Sequence, residues 1–128
     1  MNVAEYRALL TKGKLRAKGR HKPGEMNKAE AAYAAVLYQR RLSGEVIDYW
    51  FEAMTFKLAL DTRYTPDFIV LLANMEIECH EVKVKAIFQD DAKVKIKVAA
   101  SMFPFRFLLA FQQTKKDGGG FEIKEVSG

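Results

Sequence analysis

Asp67, Glu81 and Lys83 stand among apolar residues in the stretch YTPDFIVLLANMEIECHEVKVK, residues 64 to 85. Side chains alternate faces along an extended chain, so Glu81 and Lys83 project to one side while Val82 turns to the other and can enter a core. Asp67 lies fourteen positions before Glu81, and a hairpin turning near Asn74 brings the two carboxylates into register. Two acids and one ammonium then meet at one spot. Acids held together repel unless a cation separates them, and Mg²⁺, with Mn²⁺ as its substitute, is satisfied by one or two carboxylates plus waters and phosphate oxygens. A lysine beside such a metal can orient or deprotonate an attacking water and stabilise charge building on a phosphate. The plainer reading is a same-face ion pair on a solvated strand, with Asp67 a turn residue behind Pro66.

These residues need elements to position them. NKAEAAYAAVLYQRRLSGE reads as a helix: Asn27 is the N-cap, Glu30 the capping-box partner three residues on, and Gly44 lies just past the end. Ala29, Ala32, Tyr33, Val36, Leu37 and Arg40 share its packing face, and local pattern alone gives Glu30 a capping role. Residues 46 to 60 read as strand, with Glu52 and Ala53 the place where it could break. YTPDFIVLLA and MEIECHEVKVKAIF read as a second and a third strand, which could form an antiparallel meander with the first. AKVKIKVAA alternates like a strand, yet Asp90 and Asp91 suit a helix start, Ala92, Ile96, Ala99 and Phe103 keep helical spacing, and Pro104 stops it; a helix is expected over 90 to 103. FRFLLAFQQ is then a buried strand, 115 to 120 a mobile turn and FEIKEV a terminal strand. The class is α/β or α+β, a mixed sheet flanked by helices. On the strand of Glu81, His80 faces the other way, as a surface or interface histidine, and Glu76 and Glu78 share that face as solvated residues. Tyr33, Trp50 and Phe56 are expected in the core, as is the lone Cys79.

Charge is distributed unevenly. Of the net +5 over 128 residues, residues 1 to 28 carry +6, from eight Lys/Arg against Glu5 and Glu25. Lys12, Lys14, Arg16, Lys18, Arg20 and Lys22 recur at every second position and line one side of an extended chain, which suits a nucleic-acid phosphate backbone. Glycines and Pro23 make this arm flexible when unbound. Arg63, Lys93, Lys97 and Arg106 are further candidates for phosphate contact. One cysteine excludes an internal disulfide, and the longest apolar run, residues 68 to 73, is too short to span a bilayer. A cytoplasmic protein with no membrane partner is expected.

TPDF…HEVKVK resembles the Pro-Asp…(Asp/Glu)-x-Lys signature of the PD-(D/E)xK nuclease superfamily, to which restriction enzymes, recombination exonucleases and several junction resolvases belong. Its core of helix, three-stranded meander, helix and strand is the order read above from Asn27 to Gln112. The NKAEAAYAA helix and DDAKVKIKVAASMFP look like small phage-encoded members akin to phage endonuclease I, although Val84 stands where those often carry glycine. The resemblance implies a restriction-endonuclease-like core (α-β-β-β-α-β) over residues 27 to 128, behind a flexible basic arm over 1 to 26. It implies Mg²⁺-dependent hydrolysis of DNA phosphodiesters, with Asp67, Glu81 and Glu30 at the metal and Lys83 positioning the water. It further implies branched or junction DNA as substrate, in phage recombination or repair inside a bacterial host, and a homodimer. A nuclease of linear duplex or DNA ends, and a non-catalytic nucleic-acid-binding module, are the alternatives.

Overall fold

Asn27 opens the first helix by accepting the Glu30 N–H on its side chain while the Glu30 carboxylate accepts the Asn27 N–H, both at 2.8 Å. This reciprocal box satisfies two of the donors that a helix start leaves without internal partners. The helix, α1, runs Lys28–Leu42 in a computed structural model that describes residues 24–84 and 90–127. The six alternating cations from Lys12 to Lys22 lie outside the described residues. Gly44, at φ 87°, ends the helix in the left-handed conformation, and the N–H groups of Gly44 and Glu45 return to the carbonyls of Arg41 and Arg40. The buried stripe of α1 is Glu30, Tyr33 and Leu37, narrower than the expected face, since Val36 is exposed.

The stretch 46 to 60 is two strands. β1 (Val46–Phe51) stops where Glu52 takes φ 49°, and β2 (Phe56–Ala59) leaves to pair with β3 (Thr62–Tyr64) in a separate two-stranded ribbon. β4 (Phe68–Leu72) returns to lie antiparallel between β1 and β5 (Ile77–Val84), giving the expected three-strand antiparallel core with the ribbon inserted into it. Helix α2 (Asp90–Met102) then crosses over, as a parallel pair requires, and β6 (Arg106–Gln112) pairs parallel to β5. Ile96 and Ala99 are buried on α2 and Phe103 packs beside them, so helical spacing prevails over the lysine–valine alternation. After a short 3₁₀ turn (Lys115–Asp117), β7 (Phe121–Val126) closes the far edge antiparallel to β6. The fold is α/β, with a mixed five-stranded sheet ordered β1-β4-β5-β6-β7.

Each sheet face has its own core. On one, α1 packs Tyr33 and Leu37 against Val46, Phe68, Val70, Val82 and Ala110. On the other, α2 and the ribbon pack Ile96, Ala99, Phe56 and Tyr64 against Ile69, Cys79, Phe107 and Leu109. No helix among the described residues is long and apolar enough to cross a membrane. Trp50, expected in the core, is 43% exposed because β1 is an edge strand.

His80 and Glu78 also depart from expectation. They do share a face, but α1 covers it, and His80 is 1% and Glu78 5% exposed, while Glu76 is solvated as expected. Burial pushes the Tyr33 hydroxyl pKa up, which keeps Tyr33 a donor, and its Oη lies 2.6 Å from His80 Nδ1. His80 Nε2 is thereby left to donate to Glu78 Oε1 at 2.9 Å, and Glu78 Oε2 accepts from Arg106 Nη1 at 2.8 Å. Buried polar groups survive when each finds a partner, and this chain supplies them from core to surface. Tyr33→Phe should therefore cost about 1–3 kcal/mol, because it strands His80 Nδ1 rather than merely deleting a bond. Urea denaturation should show a lower midpoint at unchanged slope; an unchanged midpoint would mean that the hydroxyl contributes nothing.

Candidate active site

β4 and β5 pair Ile69 with Cys79 and Phe68 with His80, and one further step in that register sets Asp67 opposite Glu81. The turn between them is the one expected at Asn74: its Oδ1 accepts the Glu76 N–H at 3.0 Å, and Met75 takes a left-handed φ of 74°. Asp67, Cys79, Glu81 and Lys83 thus share the sheet face that carries α2 and the ribbon.

Each carboxylate is held. Asp67 Oδ2 accepts the Val82 backbone N–H at 2.8 Å. Glu81, 7% exposed, accepts the Tyr64 hydroxyl on Oε1 at 2.8 Å and has Lys83 Nζ 3.1 Å from Oε2. Tyr64 is the site residue that sequence reasoning missed. The available signal was alternation along β3, which turns Arg63 outward and Tyr64 inward toward the Glu81 face. Burial, then the neighbouring Glu81, raises the Tyr64 pKa, so its hydroxyl remains a donor.

The electrostatics are those of an under-compensated acid pair. Burial, then Glu81, then Glu30 drive the Asp67 pKa well above the ordinary aspartate value, against the Val82 hydrogen bond and Lys83. Burial likewise raises Glu81, opposed by Lys83 and Tyr64. Burial alone would lower the Lys83 pKa, but Glu81, Asp67 and Glu30 outweigh it and Lys83 is raised, hence charged. Among the described residues, Lys83 does not bring either carboxylate back to its ordinary pKa. Cys79, on the same face, has its thiol pushed up to about 12 by burial and is a core residue as expected.

Glu30 reaches this group from the other layer. Its capping role is met, and it is 5% exposed, yet its charge bears on Asp67, Glu81 and Lys83. It does not close with them into a ligand cluster: among the described residues, no three of Asp, Glu, His and Cys are grouped to hold a metal ion. The donor set present is two carboxylates. That number suits Mg²⁺, which takes one or two carboxylates and fills its octahedron with water and phosphate oxygens. Asp67 is partly exposed and Oδ1 accepts no hydrogen bond among the described residues, so one hard oxygen is uncommitted among them. Of the other candidates, Arg63 is exposed on β3, and Lys93 and Lys97 are exposed on α2.

Because the folded pKa of Asp67 is raised, the stability linked to it is present below the unfolded value and is lost as pH rises through the folded one. Asp67→Asn keeps an acceptor for the Val82 N–H and removes the charge. Thermal unfolding of the metal-free protein should show the variant more stable by about 1 kcal/mol at neutral pH, with the gain vanishing at acid pH. A variant that is less stable at neutral pH would contradict the repulsion described here.

Comparison with family models, with curated proteins and with solved structures finds no match to this chain. Its functional reading therefore rests on the chemistry of Asp67, Glu81 and Lys83.

Proposed function

We propose that the chain is a metal-dependent DNA endonuclease with a restriction-endonuclease-like core. The observation that carries this is the pair formed by partly exposed Asp67 and buried Glu81, set opposite one another by the β4–β5 register, each raised in pKa, with Lys83 the ammonium beside them among the described residues. Buried acids that repel destabilise a fold until a cation is bound between them, and perturbed carboxylates cluster at functional sites. The order helix, antiparallel strands, crossover helix, parallel strand supports the same reading, as does the PD…ExK spacing.

In this reading Asp67 and Glu81 hold Mg²⁺, with Glu30 adding negative charge from behind. When bound, the metal supplies Lewis acidity toward a phosphate oxygen and lowers the pKa of its water. The chain's own groups do the rest. Val82 N–H and Tyr64 Oη fix one oxygen each of Asp67 and Glu81, so neither carboxylate has to be ordered when the substrate arrives. Lys83, charged and 26% exposed in its side chain, orients the attacking water and offsets charge growing on the phosphate. Nothing in the site suggests base-specific readout, which favours branched or junction DNA; paired incision of a junction would require a homodimer.

Purified protein incubated with four-way junction and plain duplex should cut the junction in Mg²⁺ or Mn²⁺ and neither substrate in EDTA. Lys83→Met should slow cleavage at least about 100-fold with DNA binding intact. Tyr64→Phe should weaken apparent Mg²⁺ affinity by about tenfold, by freeing Glu81 to reorient. Absence of cleavage in both metals would sink the enzyme reading in favour of a non-catalytic binding module.

A further inference from the structure

The β2–β3 ribbon turns two cations outward. Phe56 and Tyr64 are cross-strand partners, buried at 5% and 6% exposure on the α2 side. One step along each strand, Lys57 and Arg63 are partners in turn, and by alternation both point away from that core and are exposed. Like charges directly opposite one another cost a strand pair stability. Among the described residues neither has an ion-pair partner, and Asp61 in the connecting turn reaches neither. A ribbon carrying such a pair is better satisfied with an anion lying across it.

The same ribbon is fastened to the candidate site. Tyr64, next to Arg63, donates to Glu81 at 2.8 Å, and the hydroxyls of Thr55 and Thr65 clasp the ribbon's base at 2.7 Å. Arg63 precedes Asp67 by four residues, a reach of at most about 14 Å. That is roughly the axial rise of four base pairs of a duplex.

We infer that Lys57 and Arg63 form a phosphate clamp on the outer face of the ribbon, where a nucleic-acid backbone docks on its way to Asp67 and Glu81. The delivery to that site rests on the nuclease reading; the docking does not. Arg63 offers a planar fork suited to two phosphate oxygens and Lys57 a mobile point charge beside it. A regular polyanion presents acceptors to both at once, which a scattering of acidic side chains does not.

The test is binding by the full chain in EDTA, read by anisotropy of a fluorescein-labelled duplex from about 50 to 200 mM salt. Lys57→Gln and Arg63→Gln should each reduce the slope of log K against log salt by about 0.9 and weaken affinity roughly tenfold, with the melting temperature unchanged or raised. Arg63→Lys should keep the slope, since it keeps the charge. Arg41→Gln, on α1 across the sheet, should change neither. An unchanged slope in the two Gln variants overturns the clamp, as does an equal loss in Arg41→Gln or a loss of slope in Arg63→Lys. Competition by polyglutamate as strong as that by unlabelled duplex overturns the assignment to a nucleic-acid backbone. With metal absent no cleavage is needed, so a clamp without nuclease activity would count against the enzyme reading alone.

Discussion

The repulsion between Asp67 and Glu81 is the constraint around which the rest of the molecule is arranged. A hairpin pivoting at Asn74 sets them opposite each other on one face of the sheet, and the core beneath takes away much of their water. Neither change is favourable for a carboxylate. Lys83, Tyr64 and the Val82 N–H each supply part of the compensation, at 3.1, 2.8 and 2.8 Å. Lys83 is the only cation among them, and Glu30 adds a further negative charge. Among the described residues both carboxylates still end above their ordinary pKa, unlike the members of a fully compensated ion pair.

β5 shows the distinction within eight residues, because alternation sends its acids to different environments. On the α1 face Glu78 is held below the ordinary glutamate pKa, first by the hydrogen bond from His80 and against burial, with Arg106 and Arg40 adding to it. Its stabilising effect exists above the unfolded pKa and is lost as pH falls through the folded one. On the α2 face Glu81 is raised, and its effect runs the other way, lost as pH rises. Two buried glutamates three residues apart thus oppose each other in their pH dependence. Each accepts from two side chains, so the difference lies in burial and neighbouring charge: burial dominates at Glu81 with Glu30 adding to it, whereas at Glu78 the His80 hydrogen bond and two arginines outweigh it.

Much of this was legible from residue order. Asn27 with Glu30, Gly44, the pivot at Asn74 and the shared face of Glu81 and Lys83 are local features, decided by capping, turn chemistry and period-two alternation. What alternation cannot say is what covers a face. His80 and Glu78 were placed on the correct side of β5, but only the packing of α1 decides that this side is buried. Trp50 failed for the converse reason, since its type suggests a core while its strand lies at the edge of the sheet. Tyr64 was hidden because its role depends on a partner seventeen residues away that only the ribbon's return brings near. The run of β-branched and aromatic residues from Val46 to Leu60 joined β1 to β2, with the break near Glu52 and Ala53 marked as the place it could occur, while β3 fell in the connection and the start of the next strand, so the ribbon itself was not visible.

The break that creates the ribbon also explains how Asp67 is made rigid. β1 ends because Glu52 adopts φ 49°, a conformation that costs a residue with a side chain about 1–2 kcal/mol. In that conformation the Glu52 N–H meets the Asp67 carbonyl at 2.8 Å, so the excursion through β2 and β3 leaves the sheet and rejoins it at one point. Asp67 is then gripped twice, through its carbonyl by Glu52 and through Oδ2 by Val82. A carboxylate fixed at backbone and at one oxygen has little freedom left to turn away from its neighbour, even though repulsion from Glu81 would favour that. Strain at Glu52 is therefore spent where it holds an unfavourable pair in place, which is the circumstance in which a fold retains strain at all.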